Sequence, residues 1–225
     1  MVLEKNLKRV KARISDACQK VDRSPDDVRL IAVTKEFSSE VINEAISLGV
    51  AEIGENRVQE AAHKFDQVRK GAIWHMVGHL QRNKVKKALE IFDMIQSIDS
   101  LRLAEEISKR ANREIEVLVE VNTSGEETKF GIDPTGFPDI VKKIVQLPNL
   151  KLMGLMTIGP GWAISDPEAS RPCFRLLGDL KKKIEDEFGI DLPILSMGMS
   201  SDFEVAIEEG STMIRVGSAI FGPRT

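Results

Sequence analysis

Short apolar runs recur along this chain with helical patterns between them, and that alternation limits its fold more than any other feature. The runs lie at 30–34, 52–54, 74–77, 94–97, 117–122, 152–156, 194–197 and 213–216. Each has the length of a strand buried on both faces, as strands of a parallel sheet are. Between them, at 39–48, 57–69, 84–89, 101–111, 137–145, 167–188 and 202–209, apolar residues return every three or four positions, the spacing of one helix face. Eight β-then-α units in 225 residues predict an α/β fold of the (β/α)8 barrel type, for which roughly 250 residues is typical. The structural alternative, an open doubly wound sheet, would place GxGxxG after its first strand. This chain has Lys35-Glu36-Phe37-Ser38-Ser39 there, so the barrel is preferred.

Ahead of the first strand, Leu3, Leu7, Val10, Ile14, Ala17 and Val21 mark one face of an extra amphipathic helix, with lysines and arginines on the other. The interleaved charges leave no apolar core for a signal peptide, and no later stretch is long enough to span a bilayer. No Pro/Gly/Ser-rich linker or internal repeat divides the chain, so residues 1–225 are expected to form one barrel domain with the helix outside it. The net charge of -3 lacks the basic excess that draws a protein to nucleic acid or anionic membrane. Cys18 and Cys173 stand far apart without CxxC spacing, which fits reduced thiols and a cytoplasmic location.

Barrel enzymes and binders build their sites at the C-terminal strand ends. Lys35 ends the first strand. A lysine held at the mouth of an apolar strand is costly to keep charged, which frees neutral amine to attack a carbonyl, so a Schiff base is one reading of it. A stem covering apolar surface with its ammonium in water is the other. The segment Ser196–Gly210 reads as strand end, Gly turn and helix start, with Ser200 and Ser201 at the turn. Ser201 and Glu204 also satisfy the S-x-x-E capping box, which needs no ligand. The following strand ends in Arg215-Val216-Gly217-Ser218, a second Gly-Ser turn. The loops after strands seven and eight are the recurrent phosphate cradle of this fold, and the pair favours a phosphate over two unrelated caps. Arg215, if it faces the barrel mouth, needs an acceptor, either a ligand or a neighbouring carboxylate.

Other chemistries fit less well. His75 and His79 are four apart, but on a strand and its turn rather than on an HExxH helix. The GMSSD stretch lacks the second glycine of a GxSxG elbow and no histidine follows it. No Gly-Lys dipeptide exists for a P-loop. Glu55, Asp99 and Glu120 could supply a glycosidase carboxylate pair, yet nine Phe, two Trp and no Tyr leave few platforms for sugar stacking.

A strand-end lysine, a two-loop phosphate cradle and an arginine between them together point to an aldehyde carrying a phosphate, pyridoxal 5'-phosphate. The strings VTK (33–35), GENRVQE (54–60), WHMVGHLQRNK (74–84), GLMTIGP (154–160) and SMGMSSDFEVAIEEGSTMIRVGSAIFG (196–222) resemble the pyridoxal phosphate homeostasis family over nearly the whole chain. That resemblance implies a barrel similar to the N-terminal domain of alanine racemase, with the cofactor held as an internal aldimine on Lys35. It implies phosphate contacts from Ser200, Ser201, Gly217 and Ser218, Arg215 as partner of the pyridine nitrogen, and Asn56 and Met197 lining the ring pocket. It further implies cofactor homeostasis or carriage without established catalysis, with apo-enzymes as possible recipients and no metal. Alanine racemases use a lysine and a tyrosine from a second subunit as opposed bases, supported by an added β domain. A chain with no tyrosine that ends at Thr225 is not expected to racemise by that route. The rivals are a pyridoxal-phosphate racemase or transaminase of the same fold, or a class I aldolase.

Overall fold

In a computed structural model, which describes residues 2–223, eight parallel strands close into a barrel in the order β1 to β8. They are β1 (Arg29–Val33), β2 (Glu52–Glu55), β3 (Ile73–Met76), β4 (Met94–Ile98), β5 (Ile115–Glu120), β6 (Leu150–Met156), β7 (Ile194–Ser196) and β8 (Met213–Val216). Closure comes from β8 pairing with β1, Ile214 opposite Leu30 and Val216 opposite Ala32. The barrel expected from the alternation of runs is therefore the observed architecture.

The helices are α1 (Val2–Gln19), α2 (Ser39–Ser47), α3 (Val58–Lys64), α4 (Val85–Ile91), α5 (Leu101–Arg110), α6 (Phe137–Ile144), α7 (Arg171–Phe188), α8 (Phe203–Glu208) and α9 (Ser218–Phe221). Two are shorter than their apolar patterns imply. After Lys64 the chain tightens into a 3-10 turn, Phe65–Gln67, and ahead of Arg171 a separate 3-10 turn, Pro167–Ser170, carries the proline. The small α9 went unseen because four residues show no helical period. Among the described residues no helix is long and apolar enough to cross a membrane.

Strand alternation sorts side chains into two apolar regions. Ile31, Met94, Leu118, Met156, Ile194 and Met213 fill the barrel interior, while a larger shell including Ala32, Ile53, Ile95, Val117, Leu195, Ile214 and Val216 packs beneath the helices. Helix α1 buries Leu7, Val10, Ile14, Ala17 and Cys18 and lies against α8 and α9. Arg13 stacks over Phe203 at 4.4 Å and pairs with Glu204 at 2.5 Å, and Asn6 Nδ2 donates to the Ile220 carbonyl. The extra helix thus braces the two helices that follow β7 and β8. Burial of its five apolar side chains accounts for about 1.5–3 kcal/mol each for the larger ones.

Gly198, just past β7, has φ +94, and a Cβ there would lie 2.6 Å from Ala206 Cβ and 2.9 Å from Phe203 Cα. A glycine is required because the backbone both turns left-handed and touches α8. Gly198→Ala is expected to destabilise the chain by about 1–3 kcal/mol, measured as a lower urea midpoint with an unchanged slope.

Candidate functional site

The turn that carries Lys35 is fixed by a buried polar clamp. Thr34 Oγ1 donates to Glu55 Oε1 at 2.6 Å, and Lys64 Nζ reaches the Thr34 carbonyl at 3.0 Å, Glu55 Oε1 at 3.1 Å and Glu60 Oε1 at 2.6 Å. The Glu36 amide also donates to Glu60 Oε1, closing the turn with Glu36 at φ +68. Burial pushes the Glu55 carboxyl up from its ordinary range, against the opposing pull of Thr34 and Lys64. An ion pair so placed is valuable for geometry more than for net stability. It holds Lys35 at the rim between β1 and β2.

Across the barrel seam, two turns are tied together by Ser200. Its Oγ accepts from the amides of Gly217 and Ala219, each at 3.2 Å. Asp202 rather than Ser201 is the N-cap residue of α8, so the S-x-x-E capping box is not formed. Asp202 Oδ1 takes the Met199 amide at 2.7 Å and Oδ2 takes Ser170 Oγ at 2.7 Å, while Glu204 turns away to Arg13. Ser201 is thereby left on the cavity wall.

Arg215 is 4% exposed. Its guanidinium donates to Ser196 Oγ at 2.6 Å and to the Thr157 carbonyl at 2.8 Å. Burial lowers its pKa to about 10, against the opposing charges of Glu120 and Asp202, so it stays cationic at neutral pH. Below it runs a column of polar side chains. Ser196 Oγ donates to Gln96 Oε1 at 2.7 Å, Gln96 Nε2 lies 3.0 Å from His75 Nδ1, and His75 Nε2 lies 2.9 Å from Glu52 Oε2. Glu52 in turn receives Arg29 at 2.9 and 2.7 Å. Burial works to raise the Glu52 carboxyl, but His75 and Arg29 outweigh it and hold it at about 2.

One cavity of ≈ 410 Å³ joins these parts, a volume suited to a cofactor-sized ligand. Lys35 and Asn56 line it from β1 and β2, and Ser200, Ser201, Arg215, Gly217 and Ser218 from β7 and β8. Met197 does not line it and needs correcting as a ring-pocket residue. Alternation sends Ser196 into the barrel and Met197 outward, where it is fully buried in the shell under the helices. Met199, two positions on, lines the cavity instead, with Phe37, Ile158 and Ile164. The remaining candidates disperse. His75 belongs to the axial column, while His79 Nδ1 pairs with Asp99 at the rim at 2.7 Å and stacks on Phe130 at 3.9 Å.

Glu120, at the end of β5, is 5% exposed, and burial, reinforced by Asp99 and opposed by Arg215, raises its carboxyl to about 7. A folded chain that keeps this proton up to about pH 7, where an unfolded one loses it near 4.5, is destabilised as pH rises through that window. Glu120→Gln is expected to remove that dependence and gain up to about 3 kcal/mol at pH 8 and little at pH 4, measured by urea unfolding at both.

Comparison with known proteins places this geometry. Residues 5–225 match the family model described as alanine racemase, N-terminal domain. A pyridoxal phosphate homeostasis protein of Aquifex aeolicus is 44% identical over 97% of this chain and 96% of its own. A crystal structure from Bifidobacterium adolescentis, of a protein called unknown, has a TM-score of 0.89 at 39% identity, covering 98% of this chain and 94% of that one. PipY of Synechococcus elongatus, solved with PLP bound, has a TM-score of 0.82 at 34% identity, covering 93% and 100%. Alanine racemase of Clostridium difficile, at 16% identity and TM-score 0.78, shares the fold over 56% of its length. The chain belongs to the family of the alanine racemase N-terminal domain and, within it, to the pyridoxal phosphate homeostasis proteins.

Proposed function

We propose that this barrel, as one domain over residues 1–225, holds pyridoxal 5'-phosphate covalently on Lys35 and serves cofactor homeostasis rather than catalysis. The observation that carries the reading is the single cavity with Lys35 on one wall and Ser200, Ser201, Gly217, Ser218 and Arg215 on the other. The fit is chemical at each end. The cofactor brings an aldehyde that an amine can condense with, and Lys35 Nζ is the amine at the rim. The two Gly-Ser turns offer hydroxyls and backbone amides to a phosphate, and Gly217 leaves room where a Cβ would come 3.3 Å from the Val33 carbonyl. The Arg215 guanidinium, fixed from below, faces the ring nitrogen as a donor. Asn56 and Met199 flank the ring.

The names of the relatives, and the cofactor in the PipY structure, support this reading. So does the residue set for chemistry. A lysine is present, but no tyrosine exists anywhere in the chain to act as the opposed base of a racemase. A cationic partner does not stabilise a protonated ring nitrogen, and an unprotonated ring is a poor electron sink. In this reading the protein works in the cytoplasm, with cofactor-requiring apo-enzymes as recipients.

Absorbance, borohydride reduction and peptide mass mapping test the attachment. The pyridoxyl mass is expected on Lys35 and lost in Lys35→Ala, with cooperative unfolding retained; an unchanged adduct would assign another lysine. Arg215→Ala and Ser201→Ala are each expected to weaken cofactor binding by about 1–3 kcal/mol in equilibrium dialysis. Incubating loaded protein with an apo-enzyme and a free-aldehyde trap separates a carrier from a store, since direct transfer survives the trap.

A further inference from the structure

Beside the cofactor cavity lies a second one of ≈ 390 Å³, lined by Asn56, Arg57, Val58, Gln59, Met76, Gly78, His79, Gln81 and Lys84. It is built from two of the strings that mark the family, 54–60 and 74–84, and Asn56 is shared by both cavities. The proposed cofactor contacts use none of its other residues.

Several basic side chains beside the barrel are engaged by carboxylates: Arg29 by Glu52, Lys64 by Glu55 and Glu60, Arg171 by Glu168, Glu208 and Glu209, and Lys129 by Glu126. Arg57 and Lys84, by contrast, form no side-chain hydrogen bond or ion pair among the described residues, and the same holds for the amides of Asn56, Gln59 and Gln81. The nearby acids are already committed. Asp99 is bonded to His79 and Ser100, and Glu60 to Lys64 and the Glu36 amide. Two cations and three amides thus converge on one concavity without a protein acceptor. Guanidinium and ammonium donors are best satisfied by carboxylate or phosphate oxygens. A half-open concavity of ≈ 390 Å³ is of small-molecule size, and the net charge of -3 does not favour a polyanion.

We propose that this cavity is a second ligand site, specific for the carboxylate or phosphate group of a small organic anion, which sits against Asn56 and so next to the bound cofactor. Arg57 and Lys84 supply the charge, and Gln59 and Gln81 orient the oxygens. The site stands whether or not the cofactor reading holds, because its residues face it independently of Lys35.

Titration calorimetry on cofactor-treated protein at fixed ionic strength tests it, with inorganic phosphate, succinate and a triglutamate peptide as probes. Saturable binding of phosphate or succinate is expected, weakened about tenfold or more in Arg57→Ala/Lys84→Ala and less in Gln81→Ala. The phosphate and succinate arms separate the two sources of the anion. The double variant should still unfold cooperatively and give the borohydride-trapped Lys35 adduct of the parent. Loss of that adduct in parent and variant alike would count against the cofactor reading alone. No saturable binding of either small anion below about 10 mM overturns the site. So does equal affinity in the double variant, which would assign the anion to the Ser200–Ser218 cradle, or binding of the peptide alone, which would mark a protein-docking surface.

Discussion

The rest of the barrel is organised around the burial of Arg215. A guanidinium taken out of water loses several kcal/mol of solvation unless its donors are met. Here the barrel interior supplies the acceptors in sequence, Ser196 Oγ and the Thr157 carbonyl at the top, then Gln96, His75 and Glu52 down the axis to Arg29. The Gln96 amide has one consistent orientation: its oxygen takes the Ser196 proton, so its nitrogen faces His75 Nδ1, while His75 Nε2 lies 2.9 Å from Glu52. Each group in the column limits the next. The direction of Arg215 at the mouth is therefore set by residues that lie as deep as the opposite barrel end.

The same logic governs the adjoining wall at β1 and β2. Thr34, Glu55, Glu60 and Lys64 form a compact ionic clamp whose role is to hold one turn, the turn bearing Lys35. Glu55 is wholly buried, and among the described residues its Oε2 has no hydrogen-bond partner. Such a feature suits a position where geometry matters more than net free energy. Helix α1 completes the frame by fixing α8 and α9, the helices that follow the two Gly-Ser turns. Both walls of the cavity are thus held from outside it.

The strands were legible because each apolar run is buried on both sides and ends in a polar residue. Lys35, Asn56, Ser200, Ser201, Arg215, Gly217 and Ser218 were legible for the same reason, being the residues just beyond or at those ends. Met197 was misread because the strand stops at Ser196, and a single position decides between interior and exterior. The axial column was invisible in the sequence, since Glu52, His75, Gln96 and Ser196 come from four strands with no local spacing to connect them. Lys64 hid inside a helical pattern, although its i,i+4 relation to Glu60 was a signal. The capping box was a true local pattern that tertiary structure overrode, when Asp202 took the N-cap position, its carboxylate held by the Met199 amide and Ser170, and Glu204 was drawn to Arg13.

The balance of charge at the mouth bears on why such a site would store a cofactor rather than use it. Arg215, with its pKa near 10, remains a cation at neutral pH, and Glu120, raised to about 7, is only partly ionised there. In the proposed mode the group facing the ring nitrogen is a cationic donor, which does not favour protonating it. With no tyrosine in the chain, the cavity offers the Lys35 amine and no opposed phenolic base. Binding energy at the phosphate and at Lys35 then goes into holding the ground state, and interactions equal in ground and transition states do not accelerate a reaction. In the proposed mode, retention is the property this arrangement favours.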